Sequence, residues 1–306
     1  MSRPAIPAWL HVLRAPHWVK NVIVLFPVLF GMRLSDPRAW AEAGIAFAAF
    51  CLAASAAYVF NDICDRRSDR HHPRKKDRPI AAGRIGVAAA TVEAVVLGAA
   101  ALAVALPLGW APLAFVAAYL ALQLAYSSAL KHRVLLDVIC LAVGFVLRAA
   151  GGAAAIGVEI SPWLTICTFT LCLFMGFCKR HNEIVTLADA AQARDHRSTL
   201  ASYTPQLLTH LITLSGAVAV ISFLTYATSP MTVERFGTYY LIYTTPLVIY
   251  GVCRFAMLSM SGRHSDPTEI MLRDRPFQLT IVLWLLLAGV IVLKGRAVHQ
   301  WLADAI

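Results

Sequence analysis

Apolar runs of about twenty residues, separated by short polar stretches, recur along the whole chain. Crossing the hydrocarbon core of a bilayer takes about 20 apolar residues in a helix. On that measure nine spans are expected, near residues 18–33, 40–60, 86–106, 110–128, 134–156, 162–180, 207–228, 237–257 and 277–294. The breaks carry helix-stopping punctuation at Pro107-Leu108-Gly109, Ser161-Pro162, Ser229-Pro230 and Asp266-Pro267. The first span opens on Pro16-His17-Trp18-Val19-Lys20-Asn21, which reads as an interfacial anchor. No soluble insert, low-complexity stretch or internal repeat interrupts the pattern. The expected fold is therefore all-α: a polytopic membrane protein of about nine transmembrane helices, forming one domain over residues 1–306.

Composition agrees, with 59% hydrophobic and only 14% charged residues. The formal charge of +10 would suit nucleic acid in a soluble protein. Here the positive charge sits in inter-helix loops, so anionic lipid headgroups and phosphorylated substrates are the expected partners, and nucleic acid is not. With the N-terminus inside, 21 of the 27 Lys and Arg residues fall on the cytoplasmic face, five fall on the other, and Arg148 falls inside a span. That asymmetry predicts a plasma (inner) membrane protein with N-terminus and polar site in the cytoplasm and C-terminus outside. The seven cysteines, mostly within apolar runs and without CxxC spacing, read as apolar fillers rather than a disulfide framework. No compact apolar core precedes the first span, so no cleavable signal peptide is expected.

The second span ends in Asn61-Asp62-Ile63-Cys64-Asp65-Arg66-Arg67-Ser68-Asp69. On a helix Asn61, Asp65 and Asp69 recur every four residues and Asp62 precedes Asp65 by three, so the polar groups share a face. Carboxylates packed so closely call for a cation, and an all-oxygen set without His or Cys suits Mg²⁺ bridging protein carboxylates and substrate phosphates. The basic segment from His71 to Pro79, with Lys75 and Arg78, follows directly. The competing reading is a solvated charged loop. The other polar segments, Tyr126 to Arg133, Lys179 to Glu183 and Glu269 to Arg275, fall on the same predicted face, so one cavity open to the cytoplasm is expected. Arg148 costs about 2.5–3.5 kcal/mol at a helix centre and so demands a polar surrounding. A buried pair with Asp137 is the alternative to a ligand contact. Gly151 and Gly152 beside it would let helices approach closely.

The run YVFNDICDRRSDRHHPRKKDRPIAAG resembles the first signature of the UbiA prenyltransferase superfamily, and Tyr126 to His132 resembles its YSxxLKH-type motif. The superfamily's second Asp-rich motif has no counterpart: at the end of span 6 the chain reads GFCKRHNEI. Together with RAPHWVKN, VLRAAGG and LRDRPFQL, this is similar to one branch, the polyprenyl-phosphate phosphoribosyltransferases of arabinan assembly.

The resemblance implies transfer of phosphoribose from phosphoribosyl pyrophosphate (PRPP) to a polyprenyl (decaprenyl) phosphate, with release of pyrophosphate. It implies Mg²⁺ on Asn61, Asp62, Asp65 and Asp69, and PRPP oxygens on Lys20, Tyr58, Asn61, Lys75 and Arg78. The lipid phosphate would meet Lys131, Arg148, Lys179 and Arg180. Asp62, Asp65, Asp69 and Lys131 would carry the chemistry. A phosphate monoester is already anionic near neutrality, so no strong general base is required. Rival readings are an aromatic prenyltransferase with a polyprenyl diphosphate donor, which keeps the first motif but needs the missing second one, and a lipid-phosphate carrier, which needs no carboxylate cluster. Acceptor length and the product's destination stay open, as does any homo-oligomer.

Overall fold

The computed structural model describes residues 7–71, 75–186, 202–261, 270–271 and 273–304, and among these there are helices and turns but no strand. The Asp266-Pro267 break, Glu269 and part of the basic segment after His71 lie outside the described residues. Among the described residues eight helices are long and apolar enough to cross a membrane. We label them α1 Pro37–Cys64, α2 Val87–Ala105, α3 Trp110–Ser128, α4 Leu136–Ala155, α5 Pro162–Thr186, α6 Pro205–Thr228, α7 Thr245–Met260 and α8 Arg275–Asp304.

The expected first span differs. It is a 3₁₀ helix over Ala15–Leu25 that passes into a short α-helix over Phe26–Phe30. Pro16 and Pro27 each remove a backbone donor, which weakens a regular α ladder here. The 3₁₀ rise of about 2.0 Å per residue makes the element roughly 30 Å long, close to a bilayer core, despite its few residues.

Contacts divide the chain into two compact units. The first comprises Met1–Val28, Asp36–Cys140 and Leu147–Val158. Its centre is α1, capped by Asp36, whose carboxylate accepts from the Arg38 and Ala39 amides, with Pro37 in the first turn. Alanines 43, 46, 49, 53, 54, 56 and 57 are buried along α1, and small side chains let neighbouring backbones come close in a bundle. Gly151 and Gly152 of α4 serve the same end, since a methyl at Gly152 would overlap the Val24 carbonyl oxygen and one at Gly151 would lie 2.6 Å from the Phe50 ring.

The second unit comprises Leu29–Ser35, Leu141–Val146 and Glu159–Ile306. Phe30, Phe223, Tyr226, Phe236 and Leu241 form its core with Trp284 packed against them. Two helix starts carry hydroxyl caps, Thr204 to the Leu207 amide and Ser229 to the Thr232 amide, each followed by proline. In the LRDRPFQL segment, Asp274 accepts from the Phe277 amide at 2.8 Å and takes both Nε and Nη2 of Arg254 at 2.7 and 2.9 Å, tying α7 to the start of α8.

Candidate active site

The Asp motif stays helical where the span ends. Asp65 closes α1, and the amides of Asp65 and Asp69 still donate to the carbonyls of Asn61 and Asp65, at 2.9 and 2.8 Å. A short helix over Arg66–His71 carries Asp69. Four-residue register thus survives the break, as the spacing predicts.

The side chains nevertheless split into two pairs rather than one four-ligand set. Asn61 and Asp65 face Lys131, whose Nζ lies 2.5 Å from Asp65 Oδ1 and 3.2 Å from Asn61 Oδ1, while Asn61 Nδ2 donates to Asp65 Oδ2 at 2.9 Å. Asp62 and Asp69, two turns apart and each 2% exposed, share Arg78, whose Nη1 lies 3.1 Å from Asp62 Oδ1 and 2.7 Å from Asp69 Oδ2. The motif covers about 100° of the helix circumference, wide enough for its edges to find different partners. Among the described residues no three His, Cys, Asp or Glu side chains converge as a metal cage. Burial pushes the Asp69 carboxyl above its ordinary range, and the Arg78 and Lys75 cations offset this only in part.

The RPIAAG segment shapes the loop holding Arg78. Ile80 is fully buried against Val12, Val59 and Ala90, the Arg84 and Ile85 amides close back on the Pro79 carbonyl, and Gly83 takes φ 75°, a conformation open to glycine. Arg70 Nε donates to the Ala81 carbonyl at 3.1 Å. Lys131 is placed by a 3₁₀ turn, Leu130–His132, that ends α3, before Leu135 enters α4 at φ 67°, a strained value for a branched side chain.

One site residue escapes a reading by spacing. Arg14 donates from Nη2 to Asp62 Oδ1 at 2.6 Å and lies 5.1 Å from the centre of the Tyr58 ring. Its backbone is left-handed, φ 51°, at the entry to the 3₁₀ helix. The residue lies in the RAPHWVKN run but is indistinguishable there from an ordinary cytoplasmic cation. Tyr58 also stacks near His17, with ring centres 5.6 Å apart. Lys20 and Lys75 are half-buried in this unit.

Arg148 is buried and donates from Nη2 to the Tyr119 hydroxyl at 2.7 Å, with its guanidinium 4.5 Å from that ring's centre. Asp137 lies three turns earlier on the same helix, roughly 16 Å along its axis, beyond a guanidinium's reach. Lys179 and Arg180 belong to the second unit, at the end of α5. Arg180 is buried and pairs with Glu183 at 2.5 Å, so its charge has a partner within the helix.

An all-helical membrane bundle with an Asp motif closing its most buried helix is the architecture of a lipid-substrate transferase. The model of the UbiA prenyltransferase family matches residues 24–282, and the chain belongs to that family. It is 34% identical over 290 residues to the decaprenyl-phosphate phosphoribosyltransferase of Mycobacterium tuberculosis, covering 92% of this chain and 93% of that one. To the enzyme of the same name from Corynebacterium glutamicum it is 35% identical over 284 residues, 89% of this chain and 82% of that one. Among solved structures, a UbiA homolog from Archaeoglobus fulgidus bound to GPP and Mg²⁺ superimposes with a TM-score of 0.69 at 18% identity, covering 96% and 99% of the two chains.

Proposed function

We propose that this chain is a polyprenyl-phosphate phosphoribosyltransferase: it moves phosphoribose from PRPP to a polyprenyl phosphate and releases pyrophosphate. The observation that carries this reading is the similarity, over about nine-tenths of the chain, to enzymes named decaprenyl-phosphate phosphoribosyltransferase. The basic end of α5, where the superfamily's second Asp motif would stand, favours it over the aromatic prenyltransferase alternative. The Lys and Arg asymmetry supports a reaction at the cytoplasmic face of the plasma membrane.

The residues fit a divalent metal. They offer only oxygen donors, and Asp62 and Asp69 already reach one common nitrogen, so a small cation could touch both. Mg²⁺ is usually held by one or two carboxylates plus substrate phosphates, so a full protein cage is not required. Asp62, Asp65, Asp69 and Asn61 would hold it, and when bound it neutralises charge building on the departing pyrophosphate.

The chain's own cations do the rest. Lys131, Arg14 and Arg78 stand at the carboxylates, where a diphosphate bound there would meet them, with Lys20, Tyr58 and Lys75 holding the remaining donor oxygens. Arg148 is a receptor for the lipid phosphate within the first unit and Lys179 is a separate candidate on the second, where Arg180 braces the helix end through Glu183. The anionic lipid oxygen attacks the anomeric carbon opposite the leaving pyrophosphate, through an oxocarbenium-like state, without a proton to remove. Positioning and electrostatics supply the rate. Purified protein given Mg²⁺, PRPP and decaprenyl phosphate should release pyrophosphate and form a phosphoribosylated lipid. Turnover of geranylgeranyl diphosphate with an aromatic acceptor instead would overturn the reading.

A further inference from the structure

The carboxylates of the Asp motif are matched one for one by cations of the chain. Asp62 meets Arg14 and Arg78, Asp69 meets Arg78, and Asp65 meets Lys131. Three carboxylates face three paired cations, with Lys75 a further cation near Asp69, so the site has no excess of negative charge as it stands. The most telling contact is that of Arg78. A single nitrogen lies within hydrogen-bond distance of two buried carboxylates set two turns apart. A divalent ion held by Asp62 and Asp69 would compete with this guanidinium for the same oxygens.

We propose that Arg78, assisted by Arg14, is a place-holder cation. It keeps free divalent metal out of the Asp62/Asp69 pair and yields only when metal arrives together with the diphosphate of the donor. This inference rests on the proposed function for the identity of the donor, and on the ion-pair geometry for everything else. A divalent ion entering alone takes this half-buried site to an excess of at least two positive charges, and uncompensated charge in such a setting is strongly disfavoured. A diphosphate brings roughly three negative charges with the metal. The displaced guanidiniums then find phosphate oxygens, exchanging one set of charge-assisted bonds for another. Arg14 suits the same exchange, being only partly buried and held from a strained left-handed backbone. Metal and donor therefore bind as one unit.

The alternative role for Arg78 is that of a fixed brace, and metal binding separates the two. Full-length protein in detergent is titrated with Mn²⁺, followed by electron paramagnetic resonance, with and without PRPP. Wild type should bind Mn²⁺ at least about tenfold more tightly with PRPP than without. Arg78→Gln should bind Mn²⁺ without PRPP about tenfold or more tighter than wild type, and PRPP should then add little. Arg14→Gln, which leaves Arg78 between the carboxylates, should show the same change to a smaller degree and carries the test if Arg78→Gln does not fold. Both variants binding Mn²⁺ alone no better than wild type would overturn the place-holder. A gain for Mn²⁺ alone in the variants, with no PRPP effect in wild type, would uphold it and count against PRPP as donor.

Discussion

Lys131 and Asp65 are separated by 66 residues yet meet at 2.5 Å, and this pairing gives the motif a measurable internal coupling. Lys131 is largely buried while Asp65 is about a quarter exposed, so removing the lysine leaves a carboxylate that water can partly rescue. A double-mutant cycle of Lys131→Met and Asp65→Asn on thermal unfolding should return a coupling of about 1–3 kcal/mol. Asp65→Ala should lower kcat by about a thousandfold or more while the protein elutes as a folded species; full activity would remove the metal reading. Lys179→Asp should raise the KM for the lipid phosphate at least tenfold and leave that for PRPP nearly unchanged. The four polar residues from Asn61 to Asp69 are legible in the sequence because helical spacing is local information. Their partners are not: Arg14 and Lys131 reach them across 48 and 66 residues, and long-range pairing leaves no periodic trace.

At the level of the helix, packing decides which glycines matter. Gly152 faces the Val24 carbonyl, a backbone atom that cannot swing aside, whereas a methyl at Gly98 of α2 meets nothing within 4 Å. Gly152→Ala should cost about 1–3 kcal/mol by overpacking, while Gly98→Ala should be neutral or gain up to about 1 kcal/mol of helix propensity. Thermal unfolding in one detergent distinguishes them directly. Asp274→Ala removes both the α8 cap and the two-point contact with Arg254, and should cost about 2 kcal/mol or more by the same measurement. The sequence marks helix existence well and helix ends less well. Hydropathy places the second span at 40–60, whereas α1 runs from Pro37 to Cys64, because the Asp36 cap and the turn bearing Asn61 and Asp62 extend it past its apolar limits. VLRAAGG announces close approach, but not that the partner is the 3₁₀ segment rather than a long helix.

Across the whole first unit, the number of crossings follows from one long helix and the contacts near its end. The 28 residues of α1 give about 42 Å of length, with Asp36 at its start and Asp62 in its last turn. Arg14 reaches Asp62, and Trp18 Nε1 donates to Ser55, so the start of the 3₁₀ helix lies beside the last third of α1. The chain must then regain Asp36 at the far end before α1 begins, and Ala15–Phe30, roughly 30 Å long, is the element that carries it there. Among the described residues eight helices have membrane-spanning length, and Ala15–Phe30 adds a shorter apolar element whose length also suits a crossing. The Lys and Arg asymmetry is the ground for expecting the Asp motif on the cytoplasmic side. A phosphatase fused after Asp304 should be active outside the membrane, and the same enzyme fused in the Lys75–Arg84 loop should be silent. An active loop fusion would invert the assigned face. A silent fusion at both positions would mean that one of the seven helices from α2 to α8 does not cross, whereas an active fusion before Ala8 with a silent loop fusion would mean that Ala15–Phe30 does not cross.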